Sequence, residues 1–248
     1  MAKKVRQWLL QIFRYAIAKG VIEHNPATDL DVVAAHAPAA KPYAHLPINE
    51  LPAFLRAVGY PKNNMLLRHA TRLLLLTAAR PGTLRAAPWS EFDLDAALWT
   101  IPAERMKMRR GHVVPLPKQA VTILRDLHRL TGTYKLVFAG RNDPDVPMSD
   151  AALNNLYHRL GFKGRQTSHG FRHLISTALN ERGYNRDWIE RQLAHGDADE
   201  IRDIYNRAQY VEQRRKMMQD WADYLDAIVH GADIVPIGRK RSQPGYLR

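Results

Sequence analysis

The stretch Ser168-His169-Gly170-Phe171-Arg172-His173 decides the fold and indicates which chemistry to look for. Ser168 is a typical N-cap residue and predicts a helix over residues 169–182 that ends at Gly183. His169 and Arg172 are three residues apart at the helix start, so they share a face to which the helix N-terminus adds positive potential. This arrangement suits a phosphate group. The alternative is an ordinary capped helix with a surface arginine and a packed histidine.

The same helix start also raises the question of a metal site. His169 and His173 have the i, i+4 spacing of two metal ligands on one helix. No third ligand follows at a metal-like spacing, and Arg172 between them would repel a cation. The sequence therefore predicts a site that uses neither a metal nor another cofactor.

A second basic segment, Arg80-Pro81-Gly82-Thr83-Leu84-Arg85, follows an apolar helix predicted over residues 65–79. An arginine directly after an apolar run indicates that Arg80 points into a site. The alternative is a C-terminal arginine that faces the helix dipole.

A third basic segment, Arg105-Met106-Lys107-Met108-Arg109-Arg110, lies between two predicted strands, 98–101 and 112–116. Four of its six residues are basic, and a two-stranded ribbon with a cationic tip fits a DNA groove. We therefore predict DNA contacts by Arg105, Arg109 and Arg110. The alternative is a solvated run of charges.

The last signal is a histidine followed by a tyrosine. His195 ends a helix that Asn185 is predicted to cap, and Tyr205 comes ten residues later. A tyrosine phenol can attack phosphorus and form a covalent phosphotyrosine. The alternative is a tyrosine of the hydrophobic core.

Around these segments the sequence predicts a mainly α fold with one small antiparallel β-sheet. Residues 31–47 are rich in alanine and proline and predict a linker, and residues 231–248 predict a basic C-terminal tail. A helix over residues 3–19 is predicted to end at Gly20, and Asn49 is predicted to cap a short helix that runs through Val58. Further helices are predicted over residues 118–130, 150–160, 198–207 and 211–229, and a further strand over residues 136–138.

Composition narrows the function classes. The chain has 248 residues, 46% of them hydrophobic, and a formal net charge of +13, which favours a polyanionic partner such as DNA. It has no cysteine, which excludes disulfides, thiolate zinc sites and cysteine nucleophiles. No apolar run approaches the roughly 20 residues of a spanning helix, so we expect a cytoplasmic protein without membrane association.

Taken in chain order, these residues resemble the tyrosine recombinases, also called the phage integrase family. The matching residues are Arg80, Lys107, His169, Arg172, His195 and Tyr205. Strings such as ALWTIPAERMKMRRGHVVPL and YNRAQYVEQRRKMMQDWADYL are most similar to integrases of P4-like prophages and genomic islands. The likeness covers roughly residues 1–226. It implies a catalytic domain over residues 48–230 and identifies residues 1–30 as the remnant of a helical core-binding domain.

The resemblance also implies a role for each matching residue. Arg80 and Arg172 would hold the scissile phosphate, and Tyr205 would attack it to form a 3′-phosphotyrosyl bond. Lys107 would act as general acid for the leaving 5′ oxygen. His169 would assist proton transfer from Tyr205, and His195 would hydrogen-bond the phosphate. The implied partners are double-stranded attachment-site DNA, other copies of the chain in a tetramer on that DNA, and accessory DNA-bending proteins.

Two departures from the family pattern keep alternatives open. Thr83 stands where the family usually carries an acidic residue that braces the site. The start of the chain resembles only the last core-binding helix, as a shortened piece or a decayed gene would. The alternatives are a catalytically impaired DNA-binding remnant of an integrase and a DNA-relaxing enzyme similar to type IB topoisomerases.

Overall fold

The computed structural model describes residues 2–33, 42–106, 108–195 and 210–230. The chain divides into two compact units, Met1–Pro42 and Tyr43–Arg248. No helix among the described residues combines the length and the apolarity needed to cross a membrane.

The first unit is built on one amphipathic helix, α1 (Ala2–Ala18). It ends as the sequence predicts, because Gly20 adopts the left-handed conformation that favours glycine after a helix. After α1, the side-chain amide of Asn25 donates to the Leu10 carbonyl at 3.2 Å, which ties the following segment to the helix. The short helix α2 (Leu30–Val33) follows. Trp8 and Ile12, on α1, are exposed.

The second unit begins with two helices, α3 (Leu51–Gly59) and α4 (Met65–Thr77). The prediction that Asn49 caps α3 is wrong: residues Ile48–Glu50 form a 3-10 turn, and Glu50 precedes the helix without a side-chain cap. Pro52 lies in the first turn and has no N–H that could donate to a capping side chain. The α4 run Leu73–Leu76 is buried, as its apolar sequence predicts.

Helix α4 is shorter than predicted. It ends at Thr77 because Ala78 adopts a left-handed φ of 55°, which breaks the helical path. The chain then starts a separate short helix, α5 (Pro81–Arg85), whose first position suits proline because no helical N–H is needed there. Arg80 therefore precedes a helix instead of ending one.

The sheet has three antiparallel strands in the order β1 (Phe92–Asp93), β2 (Leu98–Ile101) and β3 (His112–Pro115). Strands β2 and β3 confirm the prediction, while β1 is too short to leave a periodic signal. The strand predicted over residues 136–138 is wrong. Leu136 makes only an isolated bridge to Pro88. The bridge does not extend into a ladder, because the Ala87 N–H donates back to the Leu84 carbonyl and Trp89 begins a 3-10 turn.

The remaining α-helices described in the second unit follow the sheet. The described helices are α6 (Lys118–Thr131), α7 (Ala152–Arg159), α8 (Gly170–Glu181), α9 (Arg186–Gln192) and α10 (Val211–His230). Asn185 caps α9 as predicted, since its side chain accepts from the Asp187 N–H. Ser168 does not cap α8. The helix begins at Gly170, one residue later than predicted, and the residue at its cap position is His169, which makes no side-chain cap hydrogen bond. The hydroxyl of Thr167 accepts from the Gly170 N–H at 3.0 Å.

Helix α10 packs on its own unit, against β3, α3, α4 and α9. Its apolar stripe is buried: Met217, Met218, Trp221, Leu225 and Ile228. The indole N–H of Trp221 donates to the Leu75 carbonyl at 2.8 Å, which ties α10 to the core helix α4. The observed elements confirm the predicted mainly α fold with a small antiparallel sheet. The helix predicted over residues 198–207 and the basic tail lie outside the described residues.

Candidate active site

Arg80 lies in the extended link between α4 and α5, where the left-handed turn at Ala78 redirects the chain. Its Nη2 donates to the backbone carbonyl of Ala194, beyond the end of α9, at 2.9 Å. Partial burial lowers the pKa of Arg80. A guanidinium stays charged at neutral pH, so Arg80 places a positive charge where the link between α4 and α5 meets the end of α9.

Arg172 comes from the first turn of α8 and meets the same junction. Its Nη1 donates to the Ala78 carbonyl at 2.6 Å and its Nη2 to the Leu193 carbonyl at 2.5 Å. Burial, and secondly the charge of Arg80, lowers the pKa of Arg172 to about 10. The two cations are therefore close enough to repel, which costs free energy unless an anion joins them.

Both arginines line one small cavity. Its lining combines Arg80 and Arg172 with Thr83, His112, and the backbone turn at Leu193 and Ala194. No acidic side chain is among the described residues that line it. Two arginines that line one cavity without a carboxylate form an arrangement suited to the non-bridging oxygens of a phosphate.

His169 directly precedes α8, and its ring stacks on that of Tyr43, with centroids 4.6 Å apart. Burial, then the charges of Arg172 and Arg80, lowers the pKa of His169. Its imidazole is therefore disposed to be neutral at pH 7, the form that can accept a proton. The structure thus brings Arg80, His169 and Arg172 together from the two segments in which the sequence predicted them.

His195 lies at the end of the α9 turn and is less enclosed, with 42% of its side chain exposed. Its Nδ1 lies 2.7 Å from a carboxylate oxygen of Glu190, which orients the ring. Together with Arg110 and His112 it lines a second, small cavity that reaches the hairpin between β2 and β3. Ala194, the neighbour of His195, lines both cavities. His195 therefore lies next to the arginine cavity, on the side of the hairpin.

Lys107 and Tyr205, the predicted general acid and nucleophile, lie outside the described residues. Met106, the neighbour of Lys107 in the sequence, is buried and lines the cavity that holds Arg80 and Arg172. Met108 lines the second cavity with His195. The chain on both sides of Lys107 thus borders the site.

The structure separates the three arginines predicted to contact DNA. The guanidinium of Arg105 pairs with the buried Glu91 carboxylate, and its Nη2 donates to the Thr83 carbonyl at 2.8 Å. Its charge is used inside the domain, where it fixes the hairpin base. Arg109 is exposed and adopts a left-handed φ of 50°, and Arg110 is exposed at the hairpin.

Sequence reasoning missed His112, which lines both cavities. It is 6% exposed, and its pKa falls to about 3 because of burial and then the charge of Arg214, with smaller effects from Arg191 and Arg80. The two-residue alternation of β3, which puts His112 on the same face as the core residue Val114, is the signal that could have identified it.

Two further buried polar residues support His112. Gln192 donates to the Thr77 carbonyl at 2.8 Å and accepts from Arg214 at 3.2 Å. Arg214, from α10, also donates to the Val113 carbonyl at 2.7 Å. Burial lowers the pKa of Arg214 to about 10. This network joins α9, α10 and β3 behind the arginine cavity.

The described residues hold no group of three or more histidine, aspartate or glutamate side chains placed to bind a metal ion. His173, the second member of the predicted histidine pair, stacks on His45 with ring centroids 5.7 Å apart.

Comparison with protein families gives two matches. Residues 45–212 match the model described as phage integrase family, and residues 1–32 match phage integrase central domain. The chain is 44% identical to prophage integrase IntZ of Escherichia coli K12 over 232 residues, which are 93% of the chain and 56% of that protein. It is 40% identical to the integrase of Shigella phage Sf6 and 37% identical to that of Enterobacteria phage P4. Each of these two alignments covers 91% of the chain. They cover 58% of the Sf6 integrase and 55% of the P4 integrase. The chain thus spans little more than half the length of these relatives.

Solved structures share the fold. A lambda integrase dimer bound to a COC′ core site superposes with a TM-score of 0.58 at 21% identity, over 83% of this chain and 60% of that one. The Tn1549 transposon integrase, solved in complex with circular-intermediate DNA, gives a TM-score of 0.56 at 18% identity. This superposition covers 87% of this chain and 77% of that one. At these identities the likeness supports the fold, and it confirms the predicted fold class.

Proposed function

The chain belongs to the phage integrase family, the tyrosine recombinases, and on this premise we propose that it carries out site-specific DNA recombination, as in prophage integration and excision. The observation that carries the proposal is the convergence of Arg80 and Arg172 on one cavity without an acidic lining residue. The pair is built for a single phosphate group, and DNA presents one at every step of its backbone.

The proposed reaction exchanges one phosphodiester for another. The phenol oxygen of Tyr205 attacks the scissile phosphorus while its proton passes to neutral His169. The bond between phosphorus and the 5′ oxygen breaks, and Lys107 gives that oxygen a proton, which leaves a 3′-phosphotyrosyl bond and a free 5′ hydroxyl. Attack by a 5′ hydroxyl of the partner strand reverses the step and joins the strands. The number of phosphodiester bonds is conserved, so no external energy source is required.

The arginines stabilise the step at which charge builds up on the phosphate. Both guanidiniums are already held by backbone carbonyls: Ala194 for Arg80, Ala78 and Leu193 for Arg172. Such preorganised donors need little rearrangement when the pentavalent transition state forms. We propose that His195 adds a hydrogen bond to the same phosphate, since Glu190 already orients its ring.

The assembly we propose follows the family. Residues 1–30 belong to a helical core-binding domain and 31–47 form the linker, whose last residues, from Tyr43 on, already belong to the second compact unit. Residues 48–230 form the catalytic domain, and 231–248 form a basic tail. The partner is double-stranded attachment-site DNA in the cytoplasm, where accessory DNA-bending proteins can assist. The chain is a monomer in free solution and a tetramer on DNA.

Covalent capture tests the proposal. A nicked duplex that carries the attachment core loses a short fragment after cleavage, so the protein–DNA adduct accumulates and survives SDS. The wild type should form this adduct, and Tyr205→Phe should not. Tyr210→Phe is the matched control, because Tyr210 lies five residues away at the start of α10 and should keep the activity. An adduct with Tyr205→Phe but not with Tyr210→Phe would refute the assignment of the nucleophile.

Two alternatives are outcomes of the same set of assays. Thr83, at the position where the family usually carries an acidic residue, favours a DNA-binding module without catalysis. Such a module would bind the duplex but form no adduct. A relaxing enzyme similar to type IB topoisomerases would form the adduct and relax supercoiled plasmid without exchanging strands between two duplexes. Recombinant products from a two-site plasmid would exclude both.

A further inference from the structure

Residues 43–46 form a segment, here called the docked segment, that binds the chain immediately before α8. The carbonyl of Ala44 accepts two hydrogen bonds from Thr167, at 3.0 Å from its N–H and 3.1 Å from its hydroxyl. The N–H of Leu46 donates to the Gln166 side chain at 2.9 Å. Both Leu46 and Gln166 are almost fully buried, so this attachment is part of the core.

The docked segment also explains the glycine that follows His169. A Cβ atom added at Gly170 would lie 2.1 Å from the Ala44 carbonyl oxygen, far inside van der Waals contact. Both groups are backbone and cannot move aside without undocking the segment. The first turn of α8 and the docked segment are therefore in direct backbone contact beside His169.

The side chains of the docked segment continue this contact onto the site. The ring of Tyr43 is stacked on the His169 imidazole, with centroids 4.6 Å apart and an interplanar angle of 20°. The imidazoles of His45 and His173 are stacked one turn further along α8. One face of the His169 ring is thus covered by Tyr43, and the ring lies near the charges of Arg172 and Arg80.

We infer that Tyr43 is a positioning residue that holds the His169 imidazole in the orientation needed to take the proton of the nucleophile. This inference rests on the proposed function. Tyr43 acts through His169: its ring restricts rotation of the imidazole and shields one of its faces from water. The hydroxyl of Tyr43 has no part in this role, so a phenyl ring should serve equally well.

The first test uses the DNA-free protein and observes His169 directly by NMR with labelled histidine. Tyr43→Leu should remove the ring-current shift of the His169 resonances. It should also raise the pKa of His169 towards its ordinary value of 6.5, because burial is the main cause of its lowering, while Arg172 and Arg80 continue to lower it. Tyr43→Phe should leave both quantities unchanged. Tyr60→Leu is the matched control, since Tyr60 is 55% exposed and Tyr43 56%. Unchanged His169 resonances in Tyr43→Leu would overturn the inference.

The second test measures single-turnover adduct formation on the nicked duplex. Tyr43→Leu should slow adduct formation about tenfold, which is less than the full rate enhancement that a positioned acid–base group gives. It should also move the acidic limb of the pH–rate profile to higher pH, together with the pKa of His169. Tyr43→Phe and Tyr60→Leu should match the wild type. A Tyr43→Leu protein that cleaves at the wild-type rate with an unshifted pH–rate profile would overturn the inference but leave the proposed function standing. A wild type that forms no adduct would overturn the proposed function, and the inference with it.

Discussion

Lowering the pH from 7 to 5 should destabilise the catalytic unit through His112. This imidazole is 6% exposed, hydrogen-bonds with the backbone of Gln192, and lies near the cations Arg214, Arg191 and Arg80. Burial and these charges lower its pKa from 6.5 to about 3 in the folded protein. The folded chain therefore keeps His112 neutral at pH 5, whereas the unfolded chain protonates it.

The sign and size of the effect follow from this difference. Between pH 6.5 and 3 the unfolded state binds one more proton than the folded state, so the free energy of unfolding falls as the pH falls. The stability is fully present above the unfolded pKa and is lost progressively below it. From pH 7 to pH 5 the loss from this one group is about 2 kcal/mol.

Urea unfolding followed by circular dichroism at pH 7, 6 and 5 measures this loss, with wild type and His112→Gln compared at constant ionic strength. Glutamine keeps an N–H donor for Gln192 but does not titrate. The other histidines, including His69 and His169, titrate in both proteins and cancel in the comparison. The variant should lose about 2 kcal/mol less than the wild type over this range. Equal losses in the two proteins would refute the assignment of a buried, neutral His112.

The remaining predictions concern the site, the core and the assembly. Thr83→Glu should hold or raise adduct formation, because a carboxylate there would face the arginine cavity and orient its cations; a loss of activity would show that the cavity has adapted to threonine. Trp221→Ala should cost about 3–5 kcal/mol in urea unfolding, whereas Trp8→Ala, at an exposed position of α1, should change stability by less than about 0.5 kcal/mol. Cleavage should persist in EDTA, and a strict Mg²⁺ requirement would contradict the proposed mechanism. Light scattering should show a monomer without DNA, and a stable tetramer would contradict DNA-dependent assembly.

The sequence carried enough information for most helices and for the two longer strands. Apolar spacing predicted α1 and α10, Gly20 predicted the end of α1, and Asn185 predicted the cap of α9. These signals are local, because a helix or a cap is determined by residues within one or two turns. The strand predicted over residues 136–138 failed for the opposite reason: a strand needs an extended partner, and the segment around Pro88 lies between the end of α5 and a 3-10 turn.

The candidate site shows the same division. The order of basic residues, histidines and tyrosine was readable from the chain and led to the family. Which cations turn towards the site was not readable, since Arg105 and Arg109 look alike in a basic run. Only the fold shows that Glu91, fourteen residues before Arg105, pairs with the Arg105 guanidinium.

By itself, then, the sequence determined most of the described helices, the β2–β3 hairpin and the family, and it predicted six residues for the chemistry. The tertiary structure decided that Arg80 and Arg172 share one cavity, that His112 lies buried behind them, and that Tyr43 covers His169. Each of these facts depends on contacts between segments far apart in the chain. Such contacts arise from the packing of the whole core and the pairing of its buried polar groups, neither of which leaves a periodic signal in the sequence.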